Sequence, residues 1–171
     1  MRRAPSAALV LLLAACSGSG SDLELPEPPK VADLLLIDVD WSPSTPTAQQ
    51  TATITIGIKN QGGLSTRATE ILVEVLRNPC GSKTVVKTER LAVPGVAPQA
   101  AITVQTTYNF ANTAGTYGVR LRVDPDELLN ESIEGWDGET NNVFDCSTVM
   151  DINGNTTLSP TEGQVIVLVP G

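Results

Sequence analysis

The 171-residue chain has no histidine. That absence removes Ser–His and Cys–His catalysis, histidine-ligated zinc and histidine-based pH switching. Aromatic residues make up only 4% of the chain, so stacking platforms are scarce. Basic residues number 11 against 19 acids, for a formal charge of −8, and none follows Arg122. Nucleic-acid affinity rests on lysine and arginine, so this balance argues against a nucleic-acid partner. The apolar run at 7–15 is nine residues long, far short of the roughly 20 that a spanning helix needs. The length allows one domain with tails and is too short for a large multidomain enzyme.

What is present begins with an address. Arg2 and Arg3 precede the short apolar run, and small residues close it. That order reads as a secretory signal peptide over 1–15. Leu13-Ala14-Ala15-Cys16 resembles a bacterial lipobox. The resemblance implies cleavage before Cys16, a diacylglyceryl thioether on its sulfur and acylation of the new N-terminus. An ordinary signal peptide with an incidental cysteine is the bland alternative. Ser17, rather than aspartate, follows the cysteine, so the expected location is a lipid anchor in the cell envelope, at the outer membrane of a two-membrane bacterium. Several acyl chains hold stably where one does not. Removing 1–15 leaves nine basic residues against 19 acids. Residues 16–30 then form a tether, Gly/Ser-rich first and Pro/Glu-rich after.

From residue 31 to the end the pattern is that of strands. Residues 51–60 alternate Ala52, Ile54, Ile56 and Ile58 against Thr51, Thr53, Thr55 and Lys59. Period two with β-branched residues marks a half-buried strand. The same alternation recurs over 69–77, 101–110 and 116–124. Further strands are expected at 31–41, 82–89 and 143–150. The apolar run 164–169 either adds an eighth or completes the seventh. Pro43, Pro46, Gly62-Gly63, Pro94-Gly95 and Gly115 sit between the runs, where turn chemistry belongs. No window carries a convincing helical period. The expected class is all-β, an immunoglobulin-like antiparallel β-sandwich of about seven strands.

Ala32-Asp33-Leu34, Ser42-Pro43, Ile58-Lys59-Asn60-Gln61-Gly62 and the 91–99 turn occur in that order. Gly115-Thr116-Tyr117 through Val123-Asp124-Pro125 follow, then Glu131-Ser132, Glu139 and Asn141-Asn142. Together over 31–145 they resemble the CARDB domain, the cell-adhesion-related domain of bacteria. The resemblance implies an immunoglobulin-like seven-stranded sandwich outside the cytoplasm, with a binding or spacer role and no activity. Residues 133–138 read as an insertion in the family's acidic loop. Cys146, an Asp/Asn-rich loop and a further apolar run also intervene before the closing strand.

Once Cys16 is lipidated, Cys80 and Cys146 remain. An even pair in an oxidising compartment usually bridges. Closing a loop of 66 residues stabilises by about 4 kcal/mol on the chain-entropy model. A reactive thiol is the alternative, but Asp145 adjoins Cys146 where a basic neighbour would be needed.

Ten of the 19 acids lie between Asp124 and Glu162. A solvated face is the plain reading of such a run. Residues 151–162 are more specific and resemble an EF-hand-type calcium loop. Asp151, Asn153, Asn155, Ser159 and Glu162 would be side-chain ligands of Ca2+ and Thr157 a carbonyl ligand. Thr156 stands where glycine is expected, and Asn153-Gly154 also fits a two-residue hairpin turn. A second cation site from Asp124, Asp126 and Glu131 is a further candidate. Trp136, between Gly135 and Gly138, either contacts a partner or folds back on the sandwich. Trp41 is expected in the core. Paired acids such as Glu131 and Glu134 could serve glycoside chemistry, but the chain offers no obvious cleft-forming second domain and no nucleophile–base pair. The chain is therefore expected to be a membrane-anchored binding or adhesion module for a protein or glycan. Its alternative is a structural spacer of an envelope assembly, and calcium is the one cofactor considered.

Overall fold

The computed structural model describes residues 30–111, 114–133, 136–145 and 164–167. The strands are β1 (Leu34–Ser42), β2 (Thr51–Asn60), β3 (Thr69–Arg77), β4 (Thr84–Val93), β5 (Ala101–Asn109), β6 (Gly115–Val123), β7 (Ser132–Ile133), β8 (Trp136–Asp137), β9 (Val143–Phe144) and β10 (Gln164–Val167). A 3-10 turn over Gly138–Asn141 is the one helical element among the described residues.

Period two decides which side chains can be covered. Ala52, Ile54, Ile56 and Ile58 of β2 are all fully buried, as are Ile71, Val73 and Val75 of β3. β6 adds Tyr117, Val119, Leu121 and Val123 to the same core. Such faces are stable only when packed against another sheet. One sheet runs β1-β2-β5 and the other β10-β6-β3-β4, with β9 also on β6. All of these pairings are antiparallel. β9 faces Leu121 and Arg122 while β10 faces Gly115 to Gly118, so both lie along one edge of β6 and fill one strand position. That makes the expected two-sheet sandwich with seven strand positions.

Two bulges adjust the alternation. In β1 the register with β2 shifts between Leu36 and Asp38. Leu34 and Leu36 face the core before the shift, Val39 and Trp41 after it. Gly57 lies opposite, where a Cβ would come within 3.0 Å of Ile37 and Asp38 side-chain carbons. In β4 the register passes from Lys87 to Val85 and skips Val86. An extra residue of this kind bends an edge strand and sharpens its twist.

The scarce aromatics collect at one end of the core. Phe110 packs edge-on against Tyr108 and Tyr117, at centroid distances of 5.1 and 5.0 Å, and against Trp41 at 5.7 Å. Trp41 thus takes the core position expected of it.

Several strand boundaries differ from expectation. β1 starts at Leu34, not 31. Residues 31–33 are engaged by the chain after β2 instead: Gln61 N donates to Asp33 O and Leu64 N to Val31 O. β4 continues to Val93, because 89–93 remain paired with β3. The expected strand at 143–150 is observed as Val143–Phe144, and 146–150 lie outside the described residues. Gln164–Val167 is a strand of its own. The insertion at 133–138 contributes to a small hairpin in which Ser132 pairs with Asp137 and Ile133 with Trp136.

Leu121 is fully buried at the centre of β6. Leu121→Ala removes packed methyl groups and leaves a cavity, so it is expected to cost about 2–5 kcal/mol. The check is a lowered denaturant midpoint at unchanged slope.

Candidate binding surface

The polar residues that bear on function among the described residues fall into two groups, one buried and one exposed. The buried group closes one end of the sandwich. Asn60, at the end of β2, is fully buried. Its Oδ1 accepts from Asp33 N at 3.1 Å and Gly62 N at 3.0 Å. Its Nδ2 donates to Leu64 O, Val96 O and Ala97 O at 2.7, 3.0 and 3.3 Å. One amide thereby ties together three chain segments. Gly62 is required beside it, since a Cβ there would lie 2.1 Å from Val31 O.

Two fully buried carboxylates extend this hub. Asp33 accepts from Gln61 Nε2 at 2.9 Å and from Asn141 Nδ2 at 3.0 Å. Glu131 accepts from Leu34 N at 3.0 Å and from Asn142 Nδ2 at 2.7 Å. Asp124 is buried with a left-handed φ of 49°, a conformation aspartate tolerates better than most residues. Thr69 Oγ1 donates to it at 2.5 Å and Leu129 N at 2.8 Å. Buried charge is costly unless it is hydrogen-bonded, and these bonds meet that need.

This disposes of one sequence candidate. Asp124, Asp126 and Glu131 do not form one cation site. Asp124 serves the β6 turn, Glu131 anchors β1, and Asp126 pairs with Arg90. No group of three or more Asp, Glu, Cys or His side chains suited to a metal occurs among the described residues. Glu131 is likewise fixed by its partners, and Glu134 lies outside the described residues. Cys16, Cys146 and the calcium-loop residues Asp151, Asn153, Asn155, Thr157, Ser159 and Glu162 also lie outside them. Cys80 is disulfide-bonded. Trp136 contributes its backbone to β8.

The exposed group is on the outer face of the second sheet. Glu70 and Glu74 of β3 stand between arginines on both sides. Arg90 of β4 donates to Glu70 Oε2 at 2.9 Å and bidentately to Asp126, at 2.6 and 3.0 Å. Arg120 of β6 donates to Glu74 Oε2 at 2.5 Å, and Arg122 to Glu127 Oε1 at 2.8 Å. Hydrogen bonding to Asp126 first, and then to Glu70, raises the pKa of Arg90; the bond to Glu74 does the same for Arg120. The Arg90 bond holds Asp126 below its ordinary range. Leu72, Leu121 and Val143 join Glu74, Arg120 and Arg122 around a shallow cavity of about 360 Å³. This face offers preset charges of both signs around an apolar floor, which suits recognition of a polar surface. The sequence showed the alternation of these charges but not their pairing, because Glu74 and Arg120 are 46 positions apart.

A two-sheet antiparallel sandwich whose buried acids hold loops in place, with a charged outer face, defines an immunoglobulin-like sandwich architecture. The CARDB family model matches residues 31–146. The chain belongs to the CARDB family, a non-catalytic, adhesion-related family of extracellular domains. The crystal structure of the CARDB domain of a Pyrococcus furiosus protein, in complex with di-metal ions, aligns with a TM-score of 0.54 at 17% identity, covering 82% of this chain and 97% of that one. The solution structure of the same domain gives 0.50 at 17% identity, over 82% and 96%. A Listeria innocua β-glucosidase aligns over 80% of this chain but 16% of its own, at 13% identity and a TM-score of 0.42. No curated protein sequence matches.

Asn60→Ala strands three carbonyls and two N–H groups in a dry site. An unsatisfied buried group costs about 1–3 kcal/mol, so this variant should lose at least as much as the Leu121 cavity. Amide exchange at Asp33 and Gly62, whose N–H groups Asn60 holds, should rise with it.

Proposed function

We propose that this chain is a lipid-anchored, non-catalytic binding module of the cell envelope, displayed on a tether and presenting its charged sheet face to a protein or glycan. The observation that carries this reading is the use made of the acids. Asp33, Asp124 and Glu131 are buried and hydrogen-bonded to backbone and amide groups, so they serve the scaffold. On the outer face of the second sheet the charges are paired arginines and carboxylates, which suit recognition. The lipobox-like Leu13-Ala14-Ala15-Cys16 and the Gly/Ser/Pro tether support the anchor.

Within this reading Cys80 pairs with Cys146. Lys83 Nζ lies 3.4 Å from Asp145 Oδ2, which holds the neighbour of Cys146 three residues from Cys80. Calcium at Asp151, Asn153, Asn155, Thr157, Ser159 and Glu162 is a second element. It is supported by the loop's ligand spacing and by the di-metal complex of the Pyrococcus furiosus CARDB domain.

Expressed as the full chain in a two-membrane bacterium, the protein should partition with the outer membrane and carry acyl mass on Cys16. Cys16→Ala should leave it unacylated and remove it from that fraction. Wild-type protein in the soluble fraction would overturn the anchor. Wild-type protein recovered only with stoichiometric envelope partners, and showing no saturable ligand binding, would make it a spacer. For calcium, saturation at 100-fold over the dissociation constant adds about 2.7 kcal/mol. A melting temperature several degrees higher in calcium than in EDTA is expected, with the difference lost in Asp151→Ala.

A further inference from the structure

β4 ends its sheet. β3 pairs with it from Thr84 to Val93, and no described strand takes the other side. The edge carries Val85 and Val86 at 45% and 39% exposure. Among the described residues this edge is unpaired, and beyond the bulge at Val86 it offers a row of N–H and C=O groups to an added strand. Along the same seam Leu91 of β4 and Ile102, Val104 and Tyr108 of β5 are half-buried against the core.

The charges on this edge are few and oddly placed. Lys87 and Glu89 share the side that faces β5. Lys87 Nζ donates to Glu89 Oε2, Thr106 Oγ1 and Thr107 O, each at 2.7 Å. Thr106 Oγ1 also donates to Glu89. These contacts hold both charges at the seam between the two sheets. Bonding to Lys87, and then to Thr106, keeps Glu89 below its ordinary pKa range and therefore charged.

A lone lysine on an edge repels foreign strands. Lys87-Thr88-Glu89 does something more selective, because it is complementary to itself when reversed. An antiparallel copy centred on Thr88 sets Lys87 opposite Glu89 of the second copy, and Glu89 opposite its Lys87. Regular pairing runs over Lys87, Thr88 and Glu89, and the bulge at Val86 flanks it at both ends. Opposite charges directly across a strand pair are favourable, and like charges are not. Sliding by two residues one way puts Lys87 against Lys87. Sliding the other way puts Glu89 against Glu89. Odd slips turn every side chain to the wrong face. One central register is therefore selected.

We propose that β4 is a homodimer edge: two copies join β4 to β4, antiparallel about Thr88, into one continuous sheet. The interface is isologous, so each pair occurs twice. The second copy also covers the half-buried seam residues.

The test uses full chains carrying two different affinity tags, co-expressed and solubilised in detergent. Wild-type chains should capture each other at one-to-one stoichiometry. Lys87→Glu alone and Glu89→Lys alone should each lower self-capture about tenfold, since two attractive pairs become repulsive. Lys87→Glu co-expressed with Glu89→Lys should recover it, as should the double swap in one chain. Recovery in the mixed pair excludes misfolding of the single variants as the cause. Wild-type chains that fail to capture each other would overturn the proposal. So would single variants that still self-associate, a mixed pair that does not recover, or stoichiometric capture of a different polypeptide in place of the second copy.

Discussion

The sandwich depends on keeping polar groups satisfied where its loops converge. Two sheets packed face to face bury the ends of their strands along with their middles. The backbone there has left the ladder and has no neighbouring strand to bond. Asn60 answers this for the first sheet, with five hydrogen bonds to three separate segments. Glu131 and Asp33 extend the answer to the start of β1 and to the Asn141-Asn142 segment. Neutral amides and backbone N–H groups hold both carboxylates. In a dry site each of those bonds is stronger than in water, and each missing one costs more. Glu131, an acid weighed for chemistry in the sequence, is thus bound into architecture.

That use of the buried acids shapes what the surface can do. The second sheet's outer face carries charge pairs between neighbouring strands and between strands and the turn after β6. Arg90 is shared between Glu70 and Asp126, and Arg120 is held by Glu74. Exposed pairs of this kind add little stability. Their effect is to preset the orientation of guanidinium and carboxylate groups around Leu72 and Val143. At the opposite side of β3, the same logic governs the β4 edge. There Lys87 and Glu89 are tied across to Thr106 and Thr107 of the other sheet. A side-chain bridge closes the seam that backbone hydrogen bonds leave open.

The candidate site was legible only in outline. The Ala32-Asp33-Leu34, Lys59-Asn60-Gln61-Gly62 and Asn141-Asn142 pieces were visible as a pattern, but their work was not. Asp33 meets Asn141 across 108 positions, and Leu34 meets Glu131 across 97. No local period reports contacts of that range. The acids Asp124, Asp126 and Glu131 look like one cluster in the chain because they are close in number. The turn after β6 sends them to three different partners.

The sequence by itself determined which face of each long strand is apolar and which is polar. Period two in β2, β3, β5 and β6, with turn residues between them, sufficed for an all-β sandwich and most of its core. It also carried the lipobox-like run that ends at Cys16 and the negative balance of the C-terminal third. Tertiary structure alone decided the order β1-β2-β5 and β10-β6-β3-β4, the phase change at the β1 bulge, and the burial of Asn60, Asp33 and Glu131. The reason is physical. Alternation fixes the face of a strand, a property of the strand itself. Neighbours and buried polar partners are fixed by packing two sheets together, which is a property of the whole chain.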